Sequence, residues 1–256
     1  MSSALSARTT APAADIDRAL ARADAYRVLA ATFGDPDAPG AHERLDLSGL
    51  RGSLGRLDVP VDDSAWRTLR GNAHRLARAA EHRAIFGHVV AHGCPPYETE
   101  YGRTHVFGQS QVLADIRGFY EAFGVRPRRG GERPDHVACE LEFLALLSLK
   151  EAIALAQNDE ERQAVCRAAA AHFIEDHVGR WLPALAGSIA SRASGSGFAA
   201  AAALAAALVA HHAADLGIAP RAFGPDDLLP TVDEPEGFSF DCGIDAASGD
   251  MAPPGA

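Results

Sequence analysis

The sequence has no stretch in which β-branched and polar residues alternate for long enough to form a half-buried strand, so no sheet can be placed along it. Its four cysteines, Cys94, Cys139, Cys166 and Cys242, form no C-x-x-C pair. Two of them sit inside helical patterns as small apolar side chains, which fits a reducing compartment. Positive charge is in deficit: Lys+Arg 24 against Asp+Glu 34 leaves a net charge of -10, a field that repels phosphate backbones and anionic lipid. The one compact basic stretch, Arg126-Pro-Arg-Arg129, has no stacking aromatics, so nucleic acid is not an expected partner. Residues 1–14 carry no apolar segment of the secretory kind, and the longest apolar run, Phe198 to Ala210, falls short of the roughly 20 residues that span a bilayer. Those absences predict a soluble, cytoplasmic chain with no stable membrane insertion.

Motifs of catalysis are missing as well. There is no Walker loop, no G-x-G-x-x-G and no G-x-S-x-G, and Cys94 lies between Gly93 and Pro95 without an evident oxyanion helix. A metal-dependent hydrolase is the main alternative reading, because His82, His88, His92, Cys94 and His105 crowd one segment and His88 and His92 have i, i+4 spacing. No Glu follows His88 as H-E-x-x-H requires, and 11 histidines make chance pairs common. The expectation is no catalytic residue, no bound metal and no cofactor. A non-catalytic helical adaptor is the other alternative.

What the sequence does have is helical periodicity. At 256 residues and 47% hydrophobic content it can bury a sizeable core. The expected fold is all-α, a single bundle of about eight to ten helices in two halves joined by a hinge loop. The expected division is a flexible N-terminus (1–14), an N-terminal half (15–125), the hinge (126–136), a C-terminal half (137–217) and an acidic Pro/Gly-rich tail (218–256) with no periodicity. Asp15 is a candidate cap for a first helix ending at Gly34, and the connector 34–63 leaves room for a short helix near Leu45 to Leu54. Ser64 is read as the cap of one helix carrying Trp66, Leu69, Ala73, Leu76 and Ala80. Val112, Ile116, Phe119 and Phe123 make a clean stripe ending at Gly124. A strongly apolar helix follows the hinge to about Gln157, another starts near Glu160, Pro183 marks a fresh start, and Ser196 caps an alanine-rich helix ending near Gly217.

Two loops stand out. In Glu132-Arg-Pro-Asp-His136 the proline holds the chain extended before it turns into a helix whose free N–H groups favour an anion or carbonyl. Asp135 is either the helix cap or a group held at the loop mouth, and His136 beside it can be oriented by Asp135 or Glu132. In Cys94-Pro-Pro-Tyr-Glu-Thr-Glu-Tyr-Gly102, tyrosines and carboxylates alternate along an extended backbone, or else Tyr97 and Tyr101 tuck into the core with their hydroxyls on backbone.

Four blocks in order, Tyr120–Gly124, Glu132–His136, Glu140–Leu147 and Phe173–Leu185 with His177 and Trp181-Leu-Pro, resemble the TorD/DmsD/NarJ family of redox-enzyme maturation chaperones. The resemblance covers roughly Asp15 to Leu216. Pro-Tyr-Glu-x-x-Tyr-Gly resembles a segment of the branch that serves dehydrogenase-like and respiratory-reductase molybdoenzymes. It implies an all-helical chaperone that binds the N-terminal, twin-arginine type leader or the apo form of a molybdopterin catalytic subunit and assists cofactor insertion. Glu132, Pro134, Asp135 and His136 would carry the peptide-binding hinge, with Tyr97, Glu98 and Tyr101 as an acidic, aromatic rim. Arg133 departs from a second proline common in the family and argues for a less stiff loop. A leader of that kind presents guanidinium groups followed by an apolar stretch, so its receptor needs carboxylates beside an apolar groove. Phe119, Phe123, Leu141 and Leu144 flank both loops as core residues or groove walls. A monomer is expected, with a half-swapped dimer as the alternative.

Overall fold

A computed structural model describes residues 13–38, 45–73, 75–86, 94–102, 106–126 and 131–224. Among the described residues the protein is all-helical, as the periodicity requires. The elements are α1 (Ala13–Phe33), α2 (Leu47–Arg56), α3 (Asp63–Gly71), α4 (Arg75–Phe86), a 3-10 turn (Glu98–Glu100), α5 (Val106–Ala122), α6 (Val137–Gln157), α7 (Glu160–Phe173), a π turn (Ile174–Val178), α8 (Gly179–Arg192) and α9 (Gly197–Leu216). The sole β pairing among them is an antiparallel bridge between Tyr97 and His136.

The most extensive helix pair is α1 on α6. Ala19, Ala21 and Ala25 let the two backbones come close, while Tyr26, Leu29 and Phe33 of α1 and Val137, Leu141, Leu144 and Leu147 of α6 are buried. Each such large side chain contributes roughly 1.5–3 kcal/mol when fully buried. One contiguous apolar cluster takes in these residues, Ala19 apart, together with Phe173, Trp181 and Leu208. By length and composition α9 is long and apolar enough to cross a membrane, more so than the run Phe198 to Ala210 suggests. Here it is a core helix: Phe198, Ala201, Ala205 and Leu208 are buried, and it packs on α1, α3 and α8.

Local signals explain most boundaries. Asp46, Asp62, Asp159 and Ser196 accept the backbone N–H of Gly49, Ala65, Arg162 and Ala199, each cap worth about 1 kcal/mol. Asn158 and Gly217 end α6 and α9 in the left-handed region. Three expectations fail. Asp15, read as the cap of the first helix, lies inside α1, in its first turn. The helix expected from Ser64 to Ala80 is two helices, capped by Asp62 and broken after Gly71, where Asn72 bonds the Thr68 carbonyl at 3.0 Å and packs on Gly197 at the start of α9. Nor does Pro183 start a helix. It lies within α8, which begins at Gly179, continuous with α7 through the wide turn Ile174–Val178.

An ionic cluster with a buried centre, Arg22 and Glu151, ties four helices together. Arg22 of α1 pairs with Glu151 of α6 at 3.5 Å and with Asp215 of α9 at 3.5 Å, and Arg167 of α7 reaches Glu151 at 3.0 Å. Next to it the Tyr26 hydroxyl meets His212 Nδ1 at 3.1 Å. Past α9 the chain turns back as a strap: the Phe223 N–H donates to the Arg180 carbonyl at 2.7 Å. A Cβ on Gly179 would collide with the Ile174 carbonyl and lie 2.8 Å from the Pro220 ring, so the strap's close seat requires glycine there. Residues 218–224 are therefore docked; the rest of the expected tail lies outside the described residues.

Candidate functional site

The two loops singled out in the sequence meet. The Glu98 N–H donates to the Asp135 carbonyl and the Val137 N–H to the Pro96 carbonyl, both at 2.9 Å, so 96–98 and 135–137 form a two-bond antiparallel ladder. Proline at 134 holds Arg133 away from helix, and the Tyr120 hydroxyl fixes the Pro134 carbonyl at 2.7 Å. The ladder thus rests on α5 on one side and starts α6 on the other.

Asp135 is fully buried and does not cap the helix. Its Oδ2 accepts the Thr99 hydroxyl at 2.8 Å, the Thr99 N–H at 3.3 Å and an Arg133 guanidinium N–H at 2.8 Å; Arg133 Nε donates to Oδ1 at 3.0 Å. The fork of two bonds to one carboxylate suits arginine's fixed geometry. Arg133 also lies 4.5 Å over the Tyr97 ring and donates to Thr99 Oγ1 at 2.6 Å. The expectation that Arg133 leaves the loop less stiff is reversed among these contacts: the residue clasps the two loops together.

His136 is the cap. Its Nδ1 accepts the Ala138 N–H at 3.1 Å, which places the ring proton on Nε2, and Tyr97 stands edge-on at 5.2 Å. Burial, reinforced by His82, lowers the His136 pKa to about 4 against a weaker upward pull from Asp135. Protonating Nδ1 would set an N–H against the Ala138 N–H.

Beneath the ladder lies a buried polar chain. His177, turned inward on the π turn, faces both Glu98 carboxyl oxygens through Nδ1 at 3.1 Å, and its Nε2 is 3.2 Å from Asp115, an ion pair not aligned as a hydrogen bond. Burial alone would depress His177; hydrogen bonding and charge from Glu98, then Asp115 and Asp176, outweigh it and raise the pKa. Glu140 is fully buried and takes the Trp181 indole N–H at 2.9 Å. Burial and the nearby Glu98 push its pKa well above the ordinary carboxylate value, which disfavours the charged form. The arrangement orients its own buried side chains. It presents no nucleophile beside a base, and among the described residues no group of three His, Cys, Asp or Glu side chains is placed to hold a metal. Of the histidine-rich segment, His82 packs on Phe86 and Phe198, while His88, His92 and His105 lie outside the described residues.

The nitrate reductase delta subunit family matches residues 56–187, a span that contains both loops, the ladder and the polar chain. The chain belongs to this TorD/NarJ-type family. It is 32% identical over 170 residues to the selenate reductase assembly chaperone protein of Thauera selenatis, covering 66% of this chain and 76% of that protein. It is 32% identical over 171 residues to the chlorate reductase assembly chaperone protein of Ideonella dechloratans, with the same coverage of 66% and 76%. To the chaperone protein TorD of Photobacterium profundum it is 29% identical over 150 residues, 57% of this chain and 68% of that one.

Within this TorD/NarJ-type chain the residues singled out by sequence fall at three depths. Glu132 is exposed, and Tyr97 is half-buried with its phenol pKa raised by burial and by Glu132. Pro134, Asp135, His136 and Glu98 are buried and build the ladder. Tyr101 turns into the core, its ring 5.3 Å from Trp181 and its hydroxyl on the Pro95 carbonyl at 3.0 Å. Phe119 and Phe123 are half-buried against Phe143, whereas Leu141 and Leu144 are core. Thr99, Asp115, Glu140 and His177 were not singled out as site residues. Glu140 carried a signal: with Val137, Leu141 and Leu144 it shares one helical face, an acid in an otherwise apolar stripe.

Proposed function

We propose that this chain is an assembly chaperone for the catalytic subunit of a molybdopterin oxidoreductase. It works in the cytoplasm as a monomer, without catalysing a reaction, and holds the subunit's N-terminal leader or apo form while cofactor is inserted. The observation that carries this reading is family membership across a span that includes both loops, with relatives named as selenate, chlorate and perchlorate reductase assembly chaperones. The geometry supports a peptide-binding role for the ladder: its backbone is paired internally and Arg133 is taken up by Asp135 and Thr99, while exposed Glu132 and half-buried Tyr97 face outward to meet a partner.

The test is binding of a fluorescently labelled leader peptide from the client's catalytic subunit, followed by anisotropy. Tyr97→Ala and Glu132→Gln remove partner-facing groups without opening the core, and each is expected to weaken binding several-fold while circular dichroism stays unchanged. A wild-type protein that fails to bind the leader, or two variants that bind as well as wild type, refutes the reading.

A further inference from the structure

Beside the ladder a cleft of about 520 Å³ opens between the 3-10 turn, α5 and the π turn. Its lining includes Glu98, Asp115, Asp176 and His177, with Arg180 at one edge. Glu98 and Asp115 both face His177, so a single imidazole stands among three carboxyl groups, and Asp115, its side chain 58% exposed, is open to an incoming cation. A carboxylate pair at a cleft mouth suits a guanidinium, which takes two oxygens at once.

The cleft's apolar end is filled from within the chain. Phe223, at the tip of the strap, lines it, lies 4.6 Å under the Arg180 guanidinium and packs over Gly102, whose missing Cβ leaves the ring its place; a Cβ there would lie 3.1 Å from the ring. Arg221, two residues earlier, is exposed. The strap therefore carries an exposed guanidinium two residues before a docked aromatic ring, the same two chemistries as a basic leader with an apolar continuation.

Resting on the leader-binding reading above, we propose that this cleft receives the leader's arginine on Asp115 and Asp176 and its adjoining apolar side chain where Phe223 now sits, so that the strap competes with the client. The docked strap guards an apolar surface that would otherwise face water, and it yields to a segment offering both the ring and the guanidinium contact. Among the described residues the strap is seated by the Phe223 N–H on the Arg180 carbonyl, by the Phe223 ring under Arg180, by Ile218 against the core and by the Pro220 contact with Gly179. When the strap leaves only a fraction of the clefts open, the apparent Kd is the intrinsic Kd divided by that open fraction, so removing the ring should tighten leader binding.

The experiment uses the full chain and a labelled leader peptide. Phe223→Ala is expected to bind roughly three- to tenfold more tightly than wild type. Asp115→Asn combined with Asp176→Asn is expected to bind several-fold more weakly at low salt, with the difference shrinking as salt screens the charges. Leader binding by wild type with no gain in Phe223→Ala overturns the competing strap. Leader binding by the paired aspartate variant equal to wild type overturns the cleft as the arginine site. Binding by neither wild type nor Phe223→Ala refutes the leader-binding reading itself, a result distinct from the other two.

Discussion

Acidification should act through His136 in a window set by its position as a helix cap. Its folded pKa is about 4, below the roughly 6.5 of an unfolded histidine, so the unfolded chain takes up the proton first. The stabilisation is thus fully present above about pH 6.5 and is lost as pH falls through about 4. A gap of about 2.5 units at 1.36 kcal/mol per unit comes to roughly 3.4 kcal/mol, of which about 2.5 kcal/mol should already be gone by about pH 4.5. His212, also lowered by burial, acts in the same direction, so the comparison has to isolate His136. His136→Asn does so: asparagine caps a helix well and does not titrate in this range. His177, raised by its carboxyl neighbours, has the opposite sign. Its stabilisation is complete below about pH 6.5 and fades as pH rises through its folded pKa, so it leaves the acid window untouched. Urea unfolding of both proteins at several pH values between about 8 and 4.5 gives the difference directly. Wild type should lose about 2.5 kcal/mol more than His136→Asn. Parallel loss in the two proteins would refute both the neutral ring and its role as the acceptor for Ala138.

Two further outcomes follow from buried charge. Glu151→Ala removes the buried carboxylate shared by Arg22 and Arg167 and leaves Arg22, whose side chain is 5% exposed, to Asp215; it should cost about 3 kcal/mol in urea unfolding, more than an ordinary surface change, and a cost under about 1 kcal/mol would mean Arg22 is not held as described. Glu140→Gln should be tolerated within about 1 kcal/mol, because burial and Glu98 already disfavour the charged carboxylate and the amide oxygen can still accept the Trp181 N–H, whereas Glu140→Ala leaves that indole donor unpaired and should cost about 2–4 kcal/mol. Equal losses in the two variants would show that Glu140 carries its charge in the folded protein.

Helix class and most termini were legible because the signals are local: Ser196 at the start of α9, Gly217 at its end and the stripe Val112, Ile116, Phe119, Phe123 read the same in sequence and structure. The break at Asn72 was not legible, because Ala73 continues the apolar spacing and the reason to stop is tertiary, the close approach of Gly197. Asp135 and His136 were both visible as candidates, but their roles were exchanged. Asp135 gave up the cap because Thr99 and Arg133 satisfy its carboxyl group across the ladder, and Thr99 lies 36 positions away in the chain. His177 faced inward for a reason no spacing rule of 3.6 contains, since the π turn shifts it relative to α7. Phe223 belonged to a segment without periodicity, and its docking depends on two glycines, Gly102 and Gly179, far from it in sequence.

The two-bond ladder between 96–98 and 135–137 also sets how this region can open. Glu98 and Val137 donate across the same pair of strands, and the Thr99, Asp135 and Arg133 clasp closes over them, so neither bond can break with the other in place without exposing a buried carboxyl group. Their amides should therefore exchange with solvent deuterium at a common rate, as one unit of local unfolding. Because Val137 begins α6 and α6 carries the packing of α1, that unit joins loop motion to the longest helix contact in the protein: a partner gripping the ladder would slow exchange at the start of α6 as well as in the loops.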